Sequence, residues 1–388
     1  MKPAIGVGMV GYAFMGRVHS QAWRSVSAFF DLPVVPSMAA LCGRSPERTA
    51  DAARELGWAA AETDWKQLVK RDDVQIVDIC TPGDSHAEIA IAALAAGKHV
   101  LCEKPLANTV AEAEAMAEAA REAAERGVQA MVAFNYRRVP AIALARRLVA
   151  DGRLGELRHV RAQYLQDWIV DPEFPLVWRL RRDKAGSGAL GDIGAHIVDT
   201  AQFVTGQNLT GVSALTETFV RERPLAEESA GLGGESRTGE KGTVDVDDAA
   251  LFIGRFEGGA LASFEATRFA AGRKNALRIE INGSKGSLAF DFEAMNELWF
   301  HDHTLDGAEA GFRRIIVTEP GHPYAGAWWP PGHGLGYEHT FTHEVKDFLE
   351  AVAAGTAPSP SFEDGLRVQR VLAAVEASAA DESRWTVV

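Results

Sequence analysis

Ala4-Ile5-Gly6-Val7-Gly8-Met9-Val10-Gly11-Tyr12-Ala13-Phe14-Met15-Gly16 is the stretch that decides the fold. Ala4–Val10 is a short apolar run, the pattern of a strand buried on both faces. A glycine-containing turn follows, and then a helix from about Met15. The literal GxGxxG string, Gly6 to Gly11, falls inside the strand, where no turn can form. The physically sensible register starts where the strand ends, at Gly11-Tyr12-Ala13-Phe14-Met15-Gly16. There Gly11 makes the tight turn and Ala13 stands where the backbone approaches a pyrophosphate. Phe14 and Met15 open the helix whose N-terminus receives the phosphates, and Gly16 lets that helix close on the sheet.

Working outward, the same alternation recurs. Met38–Cys42, Val74–Cys80, His99–Cys102 and Val128–Phe134 read as strands. Ser45-Pro46-Glu47 opens a helix, with Ser45 as N-cap and Pro46 at the first helical position. Ser85-His86-Ala87-Glu88 and Thr109-Val110-Ala111-Glu112 have capping-box spacing, and their helices stop at Gly97 and Gly127. Such spacing means parallel strands joined by right-handed crossovers, an α/β doubly wound Rossmann sheet over residues 1–135. The second strand ends at Cys42-Gly43-Arg44-Ser45 without the carboxylate expected for a ribose. Asp31 has the right count but precedes Pro33 and Pro36. Arg44 suits a 2′-phosphate, so the expected cofactor is NAD(P) with NADP ahead of NAD; stacking on adenine is the other reading of this arginine.

The rest of the composition narrows the class. The chain has 388 residues, 47% hydrophobic, which is long enough for two domains with packed cores. Its net charge of −13 argues against a nucleic-acid surface. No run suits a membrane span or a signal peptide, so a cytoplasmic protein is expected. The three cysteines, Cys42, Cys80 and Cys102, lack metal-type spacing and read as buried small hydrophobes. After about residue 136 the period changes. Arg158–Tyr164, Ala249–Phe256, Ala260–Thr267, Ala276–Ile281 and Ser287–Asp291 read as strands, punctuated by Gly258-Gly259 and Gly283-Ser284-Lys285-Gly286. An α+β domain with a mostly antiparallel open sheet is expected over 136–388. Residues 222–246, polar and glycine-rich, read as a mobile excursion, and Phe341–Ala354 and Asp364–Ala380 as terminal helices.

Thr81-Pro82-Gly83-Asp84-Ser85-His86 follows the third strand and Glu103-Lys104-Pro105 the next. With the amino-terminal fingerprint, these strings resemble the Gfo/Idh/MocA oxidoreductases, the glucose–fructose oxidoreductase and inositol dehydrogenase family. Asn135-Tyr136-Arg137-Arg138, Trp178-Arg179 and the run Gly186–His196 extend the resemblance over nearly the whole chain. It implies NAD(P)-dependent oxidation of a secondary hydroxyl of a neutral sugar, glycoside or cyclitol. Cofactor contacts are implied at Thr81, Pro82, His86, Glu103, Lys104 and Asn135, besides the fingerprint. Tyr136, Trp168 and Arg179 are implied for substrate hydroxyls, a cis peptide before Pro105, and a homodimer or homotetramer covering the open sheet.

The residues also argue for themselves. Lys104 directly follows an apolar strand, which puts its ammonium at the carboxyl edge of a parallel sheet, where α/β ligands bind. Partial burial tunes a lysine in a way it cannot tune an arginine. Asp192 and His196 stand at i and i+4 on an apparent helix ending at Gly206, so they share a face. With Lys104 they make a catalytic set; a surface ion pair is the plainer alternative. His339 and His343 are four apart but lack a third ligand, so no metal is expected. Trp328-Trp329 has two readings, a sugar-stacking cap or an oligomer contact. Two rival functions remain: an NAD-dependent glycosidase working by transient oxidation, and a cofactor-sensing binding protein without chemistry.

Overall fold

The structure, a computed structural model, describes residues 2–230 and 233–388, with the backbone alone for 226–230 and 233–238. In chain order the elements are β1 (Ala4–Val10), α1 (Phe14–Phe29), β2 (Val35–Cys42), α2 (Pro46–Leu56), β3 (Ala60–Glu62), α3 (Trp65–Lys70), β4 (Ile76–Ile79), α4 (His86–Ala95), β5 (His99–Cys102), α5 (Val110–Ala124) and β6 (Ala130–Val132). Then come α6 (Pro140–Ala150), β7 (Leu157–Leu165), α7 (Arg182–Ala185), α8 (Ala195–Thr205), β8 (Leu209–Glu217), β9 (Glu222–Ala230), β10 (Gly233–Thr243), β11 (Ala249–Phe256) and β12 (Leu261–Thr267). The last are β13 (Ala276–Gly283), β14 (Gly286–Asp291), β15 (Glu297–Asp302), β16 (Arg313–Ile316), α9 (Tyr337–Ala354), α10 (Phe362–Ala380) and β17 (Thr386–Val387). Among the described residues no helix is long and apolar enough to cross a membrane.

The chain folds as two compact units, and Met1–Asn135 forms most of the first. Its six strands run in the order β3-β2-β1-β4-β5-β6, all parallel. This is the Rossmann order, with the reversal of winding between β1 and β4. Val7, Met9, Ile76, Leu101 and Met131 form the middle of its core, and Trp23 and Val26 of α1 close one face. Tyr337–Gln369, counted with the second domain on sequence, packs with this first unit: Phe341, Val345, Phe348 and Leu349 of α9 join the same core. Apolar periodicity reports that α9 has a buried face, not which core receives it. Strand β3 and helix α3 are absent from the sequence reading, because Ala60-Ala61-Glu62 carries no apolar signal. The Thr109 capping box forms, with Glu112 N–H donating to Thr109 Oγ1. The Ser85 box does not: Ser85 Oγ donates to Thr81 Oγ1 at 2.7 Å and caps no amide.

The second unit is built on nine strands in the order β16-β15-β14-β13-β7-β12-β11-β8-β17. Every pairing is antiparallel except β7 with β12. Helices α6 and α8 pack on one face of it. Strands β9 and β10 pair as a separate two-stranded sheet. Within 222–246, read from composition as a mobile excursion, the described backbone forms these two paired strands, and residues 231–232 lie outside the described residues. Ladder hydrogen bonds satisfy the main chain whatever the side-chain composition, and composition is all the sequence offered there.

Candidate active site

Strand β1 ends at Val10, and Gly11 takes φ +100°, a conformation that favours glycine. A Cβ on Gly16 would stand 2.3 Å from the Gly11 carbonyl oxygen, so α1 could not approach the turn with any larger residue. The strand glycine Gly6 has a different reason: its Cβ would lie 1.7 Å from the Asp73 carbonyl oxygen. Helix α1 starts after Ala13 with no side-chain cap and no acidic residue in its first turn. Its first amides are thus open to an anion, and the turn fits a dinucleotide pyrophosphate. Phe14 is exposed at the helix start, its ring stacked on Tyr337 at 6.3 Å, while Met15 is half-buried. Arg44 is exposed just beyond β2.

The loops after β4 and β5 complete the carboxyl edge of this sheet. Thr81 and Pro82 are half-buried. His86 is buried, with Nε2 2.8 Å from the Thr81 carbonyl oxygen and Nδ1 3.0 Å from that of Pro105. It ties the two loops together. Lys104 is half-buried and joined to Pro105 by a cis peptide. Glu103 is buried beneath it and accepts the Lys104 backbone N–H at 3.0 Å. Asn135 is also buried, and its Nδ2 donates to Thr340 Oγ1 at 2.9 Å.

In the second unit, the run that ends at His196 is launched by Asp247. Its carboxylate accepts the N–H groups of Gly188 and Leu190, each at 2.7 Å. A Cβ on Gly188 would meet the Asp247 carbonyl oxygen at 1.8 Å, so only glycine fits. Leu190–Gly194 is a π-helical turn that leads into α8. Asp192 therefore sits on a wider turn than the α-helix expected from i,i+4 spacing. Such turns re-aim side chains and are frequent at functional sites. His196 is buried, its ring edge-on to Tyr136 at 4.6 Å and tilted to Tyr164 at 5.9 Å. Asp192 keeps 21% of its side chain exposed and lies 3.5 Å from the fully buried guanidinium of Arg268, which in turn sits 5.4 Å from the centre of the Trp168 ring.

A polar chain runs beside these residues. The Tyr136 and Tyr164 hydroxyls are 2.6 Å apart, and Tyr164 donates to Asn275 Oδ1 at 2.6 Å. Gln166 Nε2 donates to the same oxygen at 2.8 Å, and Trp168 Nε1 donates to Gln166 Oε1 at 2.9 Å. Tyr136 is buried, and its ring packs edge-on against His196. Gln166, Trp168 and Asn275 are half-buried. Arg179 stacks on its neighbour Trp178 at 4.3 Å. Arg137 grips Asp199 of α8 through Nε and Nη2, at 2.9 and 2.6 Å. Sequence reasoning missed Tyr164, Gln166, Asn275, Asp247 and Arg268. A cluster of Gln, Asp and Trp at the end of β7 was the one visible sign.

The cysteines are all buried and free, and burial pushes the Cys42 thiol up to about 12, helped by the nearby Asp64 and Glu62 charges. Among the described residues, His19, Asp78 and Cys80 are the one group of three potential metal ligands whose ligand atoms lie within 4.8 Å of one another, and His339 Nδ1 lies 3.4 Å from Glu338.

Residues 5–134 match the family model for an oxidoreductase family with an NAD-binding Rossmann fold, and residues 142–289 match the Gfo/Idh/MocA C-terminal domain. Levoglucosan dehydrogenase of Pseudarthrobacter phenanthrenivorans is 43% identical over 98% of this chain and 97% of its own. The chain belongs to the Gfo/Idh/MocA family. An oxidoreductase domain protein from Kribbella flavida has the same fold as this Gfo/Idh/MocA protein, with 65% identity, full coverage of both chains and a TM-score of 0.95. Levoglucosan dehydrogenase in complex with NADH and levoglucosan superposes over 99% of both chains, with 42% identity and a TM-score of 0.92. This Gfo/Idh/MocA protein is thus an NAD(P)-binding oxidoreductase.

Proposed function

We propose that this oxidoreductase oxidises a secondary hydroxyl of a neutral pyranose-ring sugar or cyclitol, with levoglucosan the first compound to assay. The whole-length identity of 43% to levoglucosan dehydrogenase is the observation that carries this reading. The half-buried amides and indole of Gln166, Asn275 and Trp168 support it, because they offer uncharged hydrogen bonds and an aromatic face. Bound nicotinamide supplies the hydride acceptor. His196 takes the hydroxyl proton as general base, and Tyr136 packed on its ring holds it in place. Lys104 stabilises the negative charge that develops on the substrate oxygen. Asp192, faced by Arg268, orients the pair.

Arg44 is proposed for the adenosine end, where it meets a 2′-phosphate, so NADP binds at least as tightly as NAD. The test of the reaction is product analysis with levoglucosan, other neutral sugars and inositols, using both cofactors. One oxidised sugar per reduced cofactor is the expected result. Glycoside cleavage without net cofactor reduction, or turnover of sugar phosphates only, would contradict the proposal.

A further inference from the structure

The centre of the first unit holds charges that the proposed reaction does not use. Asp78 lies in the middle of β4, fully buried, and Glu103 follows β5, 4% exposed. His19 of α1, 1% exposed, lies between them. Its Nδ1 is 3.0 Å from each Asp78 oxygen, and its Nε2 is 2.9 Å from Glu103 Oε1. Trp23 Nε1 also donates to Asp78, at 2.7 Å, and Cys80 Sγ lies 3.5 Å from Asp78 Oδ1. The ring of Phe341, on α9, covers the imidazole at 5.4 Å.

A neutral imidazole has one N–H and one bare nitrogen. Here the bare nitrogen would set its lone pair against a carboxylate oxygen, whichever tautomer were chosen. Only the imidazolium lets the ring itself donate to both carboxylates. Burial by itself lowers the His19 pKa, but the Asp78 charge and its hydrogen bond outweigh that, and the result is raised well above 6.5. Burial holds the Cys80 thiol far above its ordinary range.

Glu103 links this cluster to the site. One of its oxygens faces His19, and the other accepts the backbone N–H of Lys104 at 3.0 Å. We propose that His19 is a positioning residue for Lys104: as an imidazolium it fixes Glu103, which fixes the Lys104 main chain and so the direction in which the ammonium is presented. The proposal rests on the role given to Lys104 above. His19 also lies on the helix whose first turn fits the pyrophosphate, so one helix serves cofactor and lysine.

The experiment is a double-mutant cycle on the full chain. His19→Gln is made alone and in a Lys104→Met background, with kcat measured at saturating sugar and cofactor. His19→Gln alone is expected to lower kcat by about 10–100-fold, the usual worth of a supporting shell, with cofactor Kd little changed. In the Lys104→Met background it should cost nothing further. Equal losses in both backgrounds, or no loss in the first, would overturn the proposal. A wild-type rate for Lys104→Met alone would instead overturn the reading of Lys104. If His19→Gln does not fold, Glu103→Gln takes its place in the same cycle. Nitrogen-15 NMR of the wild-type protein gives an independent check: both His19 ring nitrogens should be protonated at neutral pH, and a neutral ring would sink the idea.

Discussion

Arg44 stands exposed at the end of β2, where the chemistry of the cofactor's ribose is read. Near the same strand end, Glu62 accepts from Arg71 at 2.7 Å, and Asp64 caps α3 by accepting the Lys66 N–H at 2.9 Å. Hydrogen bonds to charged groups are worth about 1.5–3 kcal/mol, so Arg44→Asp should weaken NADP binding about 10–100-fold and leave NAD nearly unchanged. Fluorescence titration with both cofactors measures this. Strong NAD preference in the unmodified protein would contradict it. The same scale explains the false GxGxxG match. Gly6 is required by the Asp73 carbonyl that crosses beside it, and only Gly11 and Gly16 belong to the phosphate turn.

Helix α8 carries His196, and its placement depends on the buried Arg137–Asp199 pair. Removing one partner of a buried pair leaves an uncompensated charge, at a cost of about 3–5 kcal/mol. Arg137→Met should therefore lose about that much in urea unfolding, whereas an effect under about 1 kcal/mol would fit only a surface pair. At this scale the sequence was legible wherever an element carries its own signal. The strand, turn and helix of residues 4–29 could be read from local pattern, as could the Thr109 box and the antiparallel hairpins. What could not be read depends on distant partners. Asp247 pins Gly188 across 59 residues, and no local rule links the two. Arg268 reaches Asp192 in the same way. The π-turn at Leu190–Gly194 was hidden because i,i+4 spacing was read as α-helical. Ser85 shows the converse, a correct spacing whose hydroxyl found a nearer acceptor in Thr81.

Across the whole molecule, helices α6 and α8 pack on the nine-stranded sheet. Its other face presents Leu251 at 49% and Ile253 at 58% exposure, beside Leu215 and Trp299. Ion pairs Arg161–Glu280 and Arg278–Asp291 interleave with them. This mixture of apolar and paired charged groups suits a second copy of the chain. Light scattering should show a dimer or tetramer, and Leu251→Glu with Ile253→Lys should lower the mass; a wild-type monomer would contradict the expectation. The central claim, however, is chemical, and one measurement tests it most directly. Wild-type protein and His196→Asn are compared for cofactor Kd and for the rate of cofactor reduction on the best neutral sugar. The account predicts equal cofactor binding and turnover lowered by roughly 10²–10⁴-fold, the usual worth of a general base. Equal rates in the two proteins would contradict it.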